Sequence, residues 1–274
     1  MTSDPNQRRT ALTHRSPFSG KSQPANAVST MPSTDHLTLG EVAAYLGWTH
    51  RFVERLAVGG QLPGVEIEGQ WRFRRDELID WLDRKIQTLD TSKVADLEQK
   101  LEAELRAASR NIRIADRLKP EFIGLDRATA DRPDVLTQLV GLAEKTGLVI
   151  DGGRLCASLA EREVLWSTAL PGGFAFCHPR RPSPHLVRRT LLAVLRAKQP
   201  VPFGSEDGEP TRLFFLIAAI DDRAHLYALA RLTRIVRGET LDALLQAPAA
   251  GELIAIIRRR ESEIDASLSG PAGA

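Results

Sequence analysis

The 274 residues carry 37 Lys and Arg against 35 Asp and Glu, a formal net charge of +2, so no global attraction to nucleic acid or membrane exists and any such binding has to be local. Apolar residues make up 42% and charged residues 26%, the balance of a soluble chain long enough for two modest cores. No apolar run approaches the ~20 residues of a membrane span, so membrane insertion is not expected.

Residues 1–35 are rich in Ser, Thr, Pro and Asn with little apolar periodicity. They are expected to form a disordered tail, and they lack the apolar middle of a signal peptide. Residues 36–86 tighten into a small domain. "GEVAAYLG" predicts a helix stopped at Gly47, and Thr49 is a natural N-cap for a second helix, "HRFVERLAVGG". "VEIEGQWRF" predicts two short strands about a turn at Gly69, and "RDELIDWLDRK" a last helix with Leu78, Ile79 and Leu82 inward. Two helices at a sharp angle plus a hairpin make a winged helix-turn-helix.

Residues 87–111 read as a connector helix. Val94, Leu97, Leu101 and Leu105 form one narrow stripe, which could pair with a second copy in a homodimer. Residues 112–265 alternate between elements. "RPDVLTQLVGLAEKTG", with Pro133 at its start and Gly147 as its stop, and "DGGRLCASLAEREVLW" are helices. "FAFCHP", "TLLAVLRA" and "TRLFFLIAAI" are strands, the last too continuously apolar to face water and therefore central. "DDRAHLYALARLTRIVRG" is an amphipathic helix, and "TLDALLQA" and "AGELIAIIRRRESEI" close the domain before a short tail at 266–274. Helices on both sides of a small sheet give an α/β chain whose larger domain has three α/β/α layers. Cys156 and Cys177 make no framework spacing and read as free thiols of a reducing cytoplasm.

The stretch "FAFCHPRRPSPHLV" runs an apolar strand into Cys177 and His178 and then stiffens with prolines. Three readings stand side by side. His178 could be a strand-end histidine satisfied by a backbone carbonyl. It could join Cys177 and His185 as a metal ligand, although adjacent strand residues face opposite ways and neither CxxC nor HxxxH spacing is present, so no metal is expected. Or it could be a nucleophile that accepts a phosphoryl group, which needs a neutral ring with one nitrogen anchored and cations or donors around the other. Arg162 in "LAERE" supplies a permanent charge shaped for oxygen pairs. His225 falls in the first turn of the helix opened by "DDRAHL", where free amides favour anions, with Asp221 or Asp222 as cap. In that reading His178 lies exposed at a sheet margin, close to both groups.

"LAEREVLWSTALPGGFAFCHPR", "VPFGSEDGEPTRLFFLIAA" and "DRAHLYALARLTRIV", in that order, resemble the type-2 enzyme IIA domains of the phosphoenolpyruvate-dependent sugar phosphotransferase system, which include fructose/mannitol-type and nitrogen-regulatory members. The resemblance extends from about 112 to 263. It implies a IIA-type fold with a mixed sheet, His178 as phosphoryl acceptor, Arg162 and His225 as its supporting groups, and no cofactor. The donor it implies is the phosphocarrier protein HPr, docking on an apolar patch. One departure from the family pattern is Cys177, where proline usually precedes the active histidine. It loosens the backbone there and adds a thiol that is either packing or a redox modulator.

The small domain resembles the excisionase-like and MerR-like DNA-binding domains in "TLGEVAAYLG", the Thr49–Leu56 helix, the "LPG" turn and "WRFRRDELIDWL". That resemblance puts Thr49, His50, Arg51 and Glu54 toward bases and Arg72, Arg74 and Arg75 toward phosphates. The domain is not basic overall, because Asp76, Glu77, Asp80 and Asp83 crowd its last helix, leaving the second helix and wing locally positive. Together the two resemblances imply a phosphotransferase-linked regulator, phosphorylated on His178, that changes DNA or partner binding. The alternatives are a docking scaffold that never accepts phosphate, a DNA-binding regulator with a degenerate IIA domain, or a component of sugar uptake.

Overall fold

The computed structural model describes residues 36–108 and 113–268. Of the expected tails, 1–35 and 269–274 lie outside the described residues, as do 109–112 of the connector, whereas 266–268 continue the last helix.

The small domain opens with strand β1 (His36–Thr38) and helix α1 (Leu39–Leu46). Thr38 starts α1 by a reciprocal cap: its hydroxyl accepts from the Glu41 amide while the Glu41 carboxylate accepts from the Thr38 amide at 2.7 Å. Gly47 ends it at φ +68°, a conformation that side chains resist, and a Cβ there would meet Lys100 Cβ at 3.0 Å. Helix α2 (His50–Val58) is capped by Thr49, which accepts from the Phe52 amide. Strands β2 (Val65–Ile67) and β3 (Gln70–Arg74) form the wing, β3 pairing antiparallel with both β2 and β1, and helix α3 (Arg75–Lys85) closes the domain. Leu37, Val42, Leu46, Val53, Phe73 and Leu82 are fully buried at its centre.

Helix α4 (Thr91–Ala107) leads to the larger domain, which contains β4 (Ile123–Arg127), α5 (Arg132–Glu144), α6 (Gly152–Leu165), β5 (Ala169–Leu170), β6 (Phe174–Cys177), β7 (Leu191–Val201), β8 (Thr211–Ala218), α7 (Asp222–Ile235), α8 (Glu239–Gln246) and α9 (Ala250–Leu268). Its five strands run in the order β4-β7-β8-β6-β5. β8 is central, as its unbroken apolar run predicts. β4 is parallel to β7 and β6 is parallel to β8, while β7–β8 and β5–β6 are antiparallel, so the sheet is mixed. Side-chain alternation sends Phe214, Leu216 and Ala218 into one core with α5 and α6. By the same two-residue period Leu213, Phe215 and Ile217 line the opposite face, on which α7 packs. The result is the three-layer α/β arrangement. Strands β4 and β5 were not expected from the sequence: "IGLDR" mixes glycine and charges, and β5 has only two residues.

The apolar stripe of α4 corrects one expectation. Val94, Leu97 and Leu101 are fully buried and Leu105 nearly so, because α4 lies along α7 of its own chain. A stripe this narrow seats one neighbour, so the surface proposed for a homodimer is consumed within the chain. Charged groups fix the same contact. Buried Glu98 pairs with Arg231 at 2.6 Å and with Arg234 at 2.7 Å, and Arg231 reaches on to Glu102 and to Asp265 of α9. The described residues form one compact unit that includes both domains and α4. Among the described residues no helix is long and apolar enough to cross a membrane.

Candidate functional site

Three elements bring the predicted chemistry together. His178 follows directly on β6, where β6 and β8 end side by side. Asp221 caps α7 by accepting from the Ala224 amide at 2.9 Å, which sets His225 in the first turn. Arg162 lies in the last turn of α6 and is braced by donating from Nη1 to the Trp166 carbonyl at 2.7 Å. The two imidazole centroids are 4.7 Å apart at a tilt of 52°, and Arg162 Nε lies 3.2 Å from His178 Nε2.

These contacts fix the state of the His178 ring. His178 Nδ1 lies 2.8 Å from the Phe176 carbonyl, which can only accept, so Nδ1 carries the proton. Arg162 Nε can only donate, so Nε2 meets it with its lone pair. Burial also pushes the His178 pKa below its ordinary range, and the opposing pull of Asp83 does not overturn that shift. The ring is a neutral imidazole with its nucleophilic nitrogen turned toward a guanidinium.

The expected exposure of that ring is not found. His178 is 3% exposed, His225 1% and Arg162 6%. The cause is α3 of the small domain, which brings Asp83 over the site. Asp83 Oδ1 accepts from His225 Nε2 at 2.9 Å, and Oδ2 lies 3.4 Å from His178 Nε2. Burial alone would raise the Asp83 carboxyl, but the His225 imidazole, which donates to it from Nε2, prevails and holds it below the usual carboxylate range. Asp83 is the site residue that the sequence reading missed. Its signal was present: with Ile79 four residues before and Ile86 three after, it occupies an apolar position of the α3 stripe, and a carboxylate there demands a partner.

Asp83, His178 and His225 are also close enough to hold a metal ion. The Arg162 contact opposes it, because a permanently charged guanidinium 3.2 Å from His178 Nε2 repels a second cation, whereas it attracts an anionic group. Cys177 and His185 play no part in this trio: Cys177 is fully buried, and His185 is exposed in the following loop. Burial, followed by the nearby Glu163 carboxylate, pushes the Cys177 thiol well above its ordinary pKa. Such a thiol stays protonated, which favours packing over redox sensing. Buried Glu163 accepts from the Thr168 hydroxyl and amide and ties the end of α6 to the turn before β5. A cleft of about 1220 Å³ reaches the site, its lining including Asp83, Arg162 and His178 as well as Trp81, Trp166 and Phe174.

Thr49, His50, Arg51 and Glu54 are exposed on α2, away from this contact. Arg72 is half-buried and donates to Gln70 and to the Trp71 carbonyl. Arg74 pairs with Asp76. Arg75 crosses to the larger domain and pairs with Asp222 at 2.9 Å, so in this arrangement its charge is committed within the chain.

Residues 117–260 match the family "Phosphoenolpyruvate-dependent sugar phosphotransferase system, EIIA 2", and residues 37–85 match a helix-turn-helix domain family. The chain is 30% identical over 153 residues to the fructose-specific EIIABC component of the Bacillus subtilis phosphotransferase system, a match covering 55% of this chain and 24% of that protein. It is 30% identical over 126 residues to a nitrogen regulatory protein of Pseudomonas aeruginosa, covering 45% of this chain and 80% of that one. Among solved structures, the nitrogen regulatory protein IIA-Ntr of Neisseria meningitidis superposes with a TM-score of 0.49 at 25% identity, covering 53% of this chain and 98% of that one.

Proposed function

Since the chain belongs to the type-2 enzyme IIA family of the phosphoenolpyruvate-dependent sugar phosphotransferase system, we propose that His178 accepts a phosphoryl group from a phosphohistidine carrier of the HPr type and that the helix-turn-helix domain turns this into altered DNA or partner binding. The observation that carries the reading is the tautomer of His178, with Nδ1–H held by the Phe176 carbonyl and the Nε2 lone pair facing Arg162, the His225 ring lying 4.7 Å from the His178 ring.

In the transfer, the Nε2 lone pair attacks phosphorus and the N–P bond to the donor imidazole breaks, its electron pair returning to the donor nitrogen. The His178 ring gains positive character as the new bond forms, and the Phe176 carbonyl steadies the Nδ1 proton. Arg162 and His225 are the donors at hand for the three phosphoryl oxygens. One phosphoramidate replaces another, so the step is near thermoneutral and positioning is the main task. Val164, 85% exposed, stands with Leu165 and Trp166 beside Arg162 and offers the apolar patch on which a carrier protein could seat.

Incubation with phosphoenolpyruvate, enzyme I and HPr, followed by mass spectrometry under conditions that spare acid-labile phosphohistidine, is expected to place one phosphoryl group on His178. A modification elsewhere, or none, overturns the assignment. The DNA half of the reading rests on the exposed face of α2. Gel-shift affinity for the chain's target is expected to fall as salt rises, in proportion to the phosphates neutralised. Arg51→Ala is expected to weaken it further, and binding indifferent to salt would point to a protein partner instead.

A further inference from the structure

Resting on that reading, we propose that α3 of the helix-turn-helix domain is a built-in occupant of the phosphoryl site. The Asp83 carboxylate stands where the transferred group would sit, so His178 can be phosphorylated only when α3 has left.

The geometry is that of a bound anion. One oxygen of Asp83 accepts from His225 Nε2 at 2.9 Å, and the other lies 3.4 Å from His178 Nε2, in the space in front of that nitrogen. In-line transfer needs the donor nitrogen, phosphorus and Nε2 on one axis, and the carboxylate lies against that nitrogen. At 3% exposure, and with Asp83 against Nε2, His178 is out of direct reach of a donor protein's imidazole although a cleft borders the site. The rim of the contact is charged and reversible. Arg75 pairs with Asp222, Arg181 pairs with Asp80 at 3.1 Å and donates to the Asp76 carbonyl, and the Arg84 guanidinium lies 5.3 Å above the Trp166 ring. Pairs this exposed each hold weakly, so the closed state is one that can open.

Phosphorylation would put close to two negative charges beside a buried carboxylate. The closed and phosphorylated states therefore exclude each other. Linkage makes the exclusion reciprocal: anything that holds α3 off the site promotes phosphorylation, and phosphorylation releases α3 by the same factor. Release also frees Arg75 from Asp222 for a phosphate backbone. The coupling thus acquires a direction, with the phosphorylated chain presenting the open helix-turn-helix domain.

The test compares wild type, Asp83→Ala and Asp83→Ala/His178→Ala in the enzyme I and HPr system, with hydrogen exchange of the α3 amides as a second measurement. Asp83→Ala is expected to take up label about tenfold faster or more, within the usual range of coupling between sites. The double variant should take up none, and α3 should exchange faster both in Asp83→Ala and in phosphorylated wild type. Should Asp83→Ala fold poorly, Arg75→Ala/Arg181→Ala loosens the rim without touching either imidazole and is expected to accelerate labelling in the same sense. Equal rates in wild type and the opened variants overturn the occupancy of the site by α3 and leave the acceptor role of His178 standing. Label absent from the opened variants as well as from wild type overturns the acceptor role itself, and this inference with it.

Discussion

His178→Gln is expected to reduce labelling from phospho-HPr to background, and Arg162→Ala to slow it by roughly 10²–10³-fold, the usual cost of removing one preorganised donor from a site where charge develops. The two losses have different origins. Glutamine keeps a polar side chain of similar reach but has no ring nitrogen with a free lone pair. Arg162→Ala leaves the nucleophile intact and removes the guanidinium 3.2 Å from Nε2. Arg162→Lys is not expected to restore the rate, because a single ammonium cannot both brace on the Trp166 carbonyl through Nη1 and present a second donor at Nε. Quench-flow measurement of label uptake decides the matter and is best made in the Asp83→Ala background, so that opening of α3 does not mask the chemical step. Uptake by Arg162→Ala at the parent rate would reduce Arg162 to a brace for the end of α6.

The partners of His178 on its own domain were legible in the sequence, whereas its lid was not. A strand ending in His178, a capped helix carrying His225 in its first turn and a helix ending near Arg162 are local patterns, and a mixed sheet has few ways to assemble them. The central place of β8 follows equally from its unbroken apolar run. β4 and β5 escaped notice because pairing, rather than pattern, makes them strands: β4 joins the sheet through β7, and β5 through its antiparallel partner β6. Asp83 escaped for a related reason. In the sequence it reads as one of four acids on the last helix that keep the small domain from being basic overall, whereas it is buried against two imidazoles more than ninety positions downstream. The docking of one domain on another depends on surfaces matched in three dimensions, which periodicity along a single element does not encode. The stripe on α4 teaches the same lesson: its spacing announced a buried face, and only the fold showed that α7 covers it.

Arg231→Met is expected to destabilise the chain by about 3–5 kcal/mol, the cost of stranding one member of a buried ion pair. Arg231 is 1% exposed and its main partner, Glu98, is fully buried, so water cannot replace the lost contact. Arg234 remains for Glu98, but Glu102 and Asp265 lose the cation they share. The loss should depend on pH in a definite sense. Burial already raises the Glu98 carboxyl above its ordinary range despite the pull of Arg231 and Arg234, and without Arg231 it rises further. A carboxyl whose folded pKa exceeds its unfolded value binds its proton more readily in the folded state, so its stabilising effect is present in acid and lost as pH rises. The deficit of Arg231→Met relative to wild type should therefore be smaller at about pH 5 than at about pH 7, and Glu98→Gln/Arg231→Met should recover part of it at neutral pH. Urea denaturation of the three proteins at both pH values measures this, and a deficit independent of pH would assign the cost to packing alone. The network matters to function because α4 seats the end of α1 through the close approach of Lys100 to Gly47. With α4 bound to α7 by a network of buried ion pairs and α3 held by exposed pairs around the single buried carboxylate of Asp83, the contact over His178 is the weaker one, and that is where the domains are expected to part.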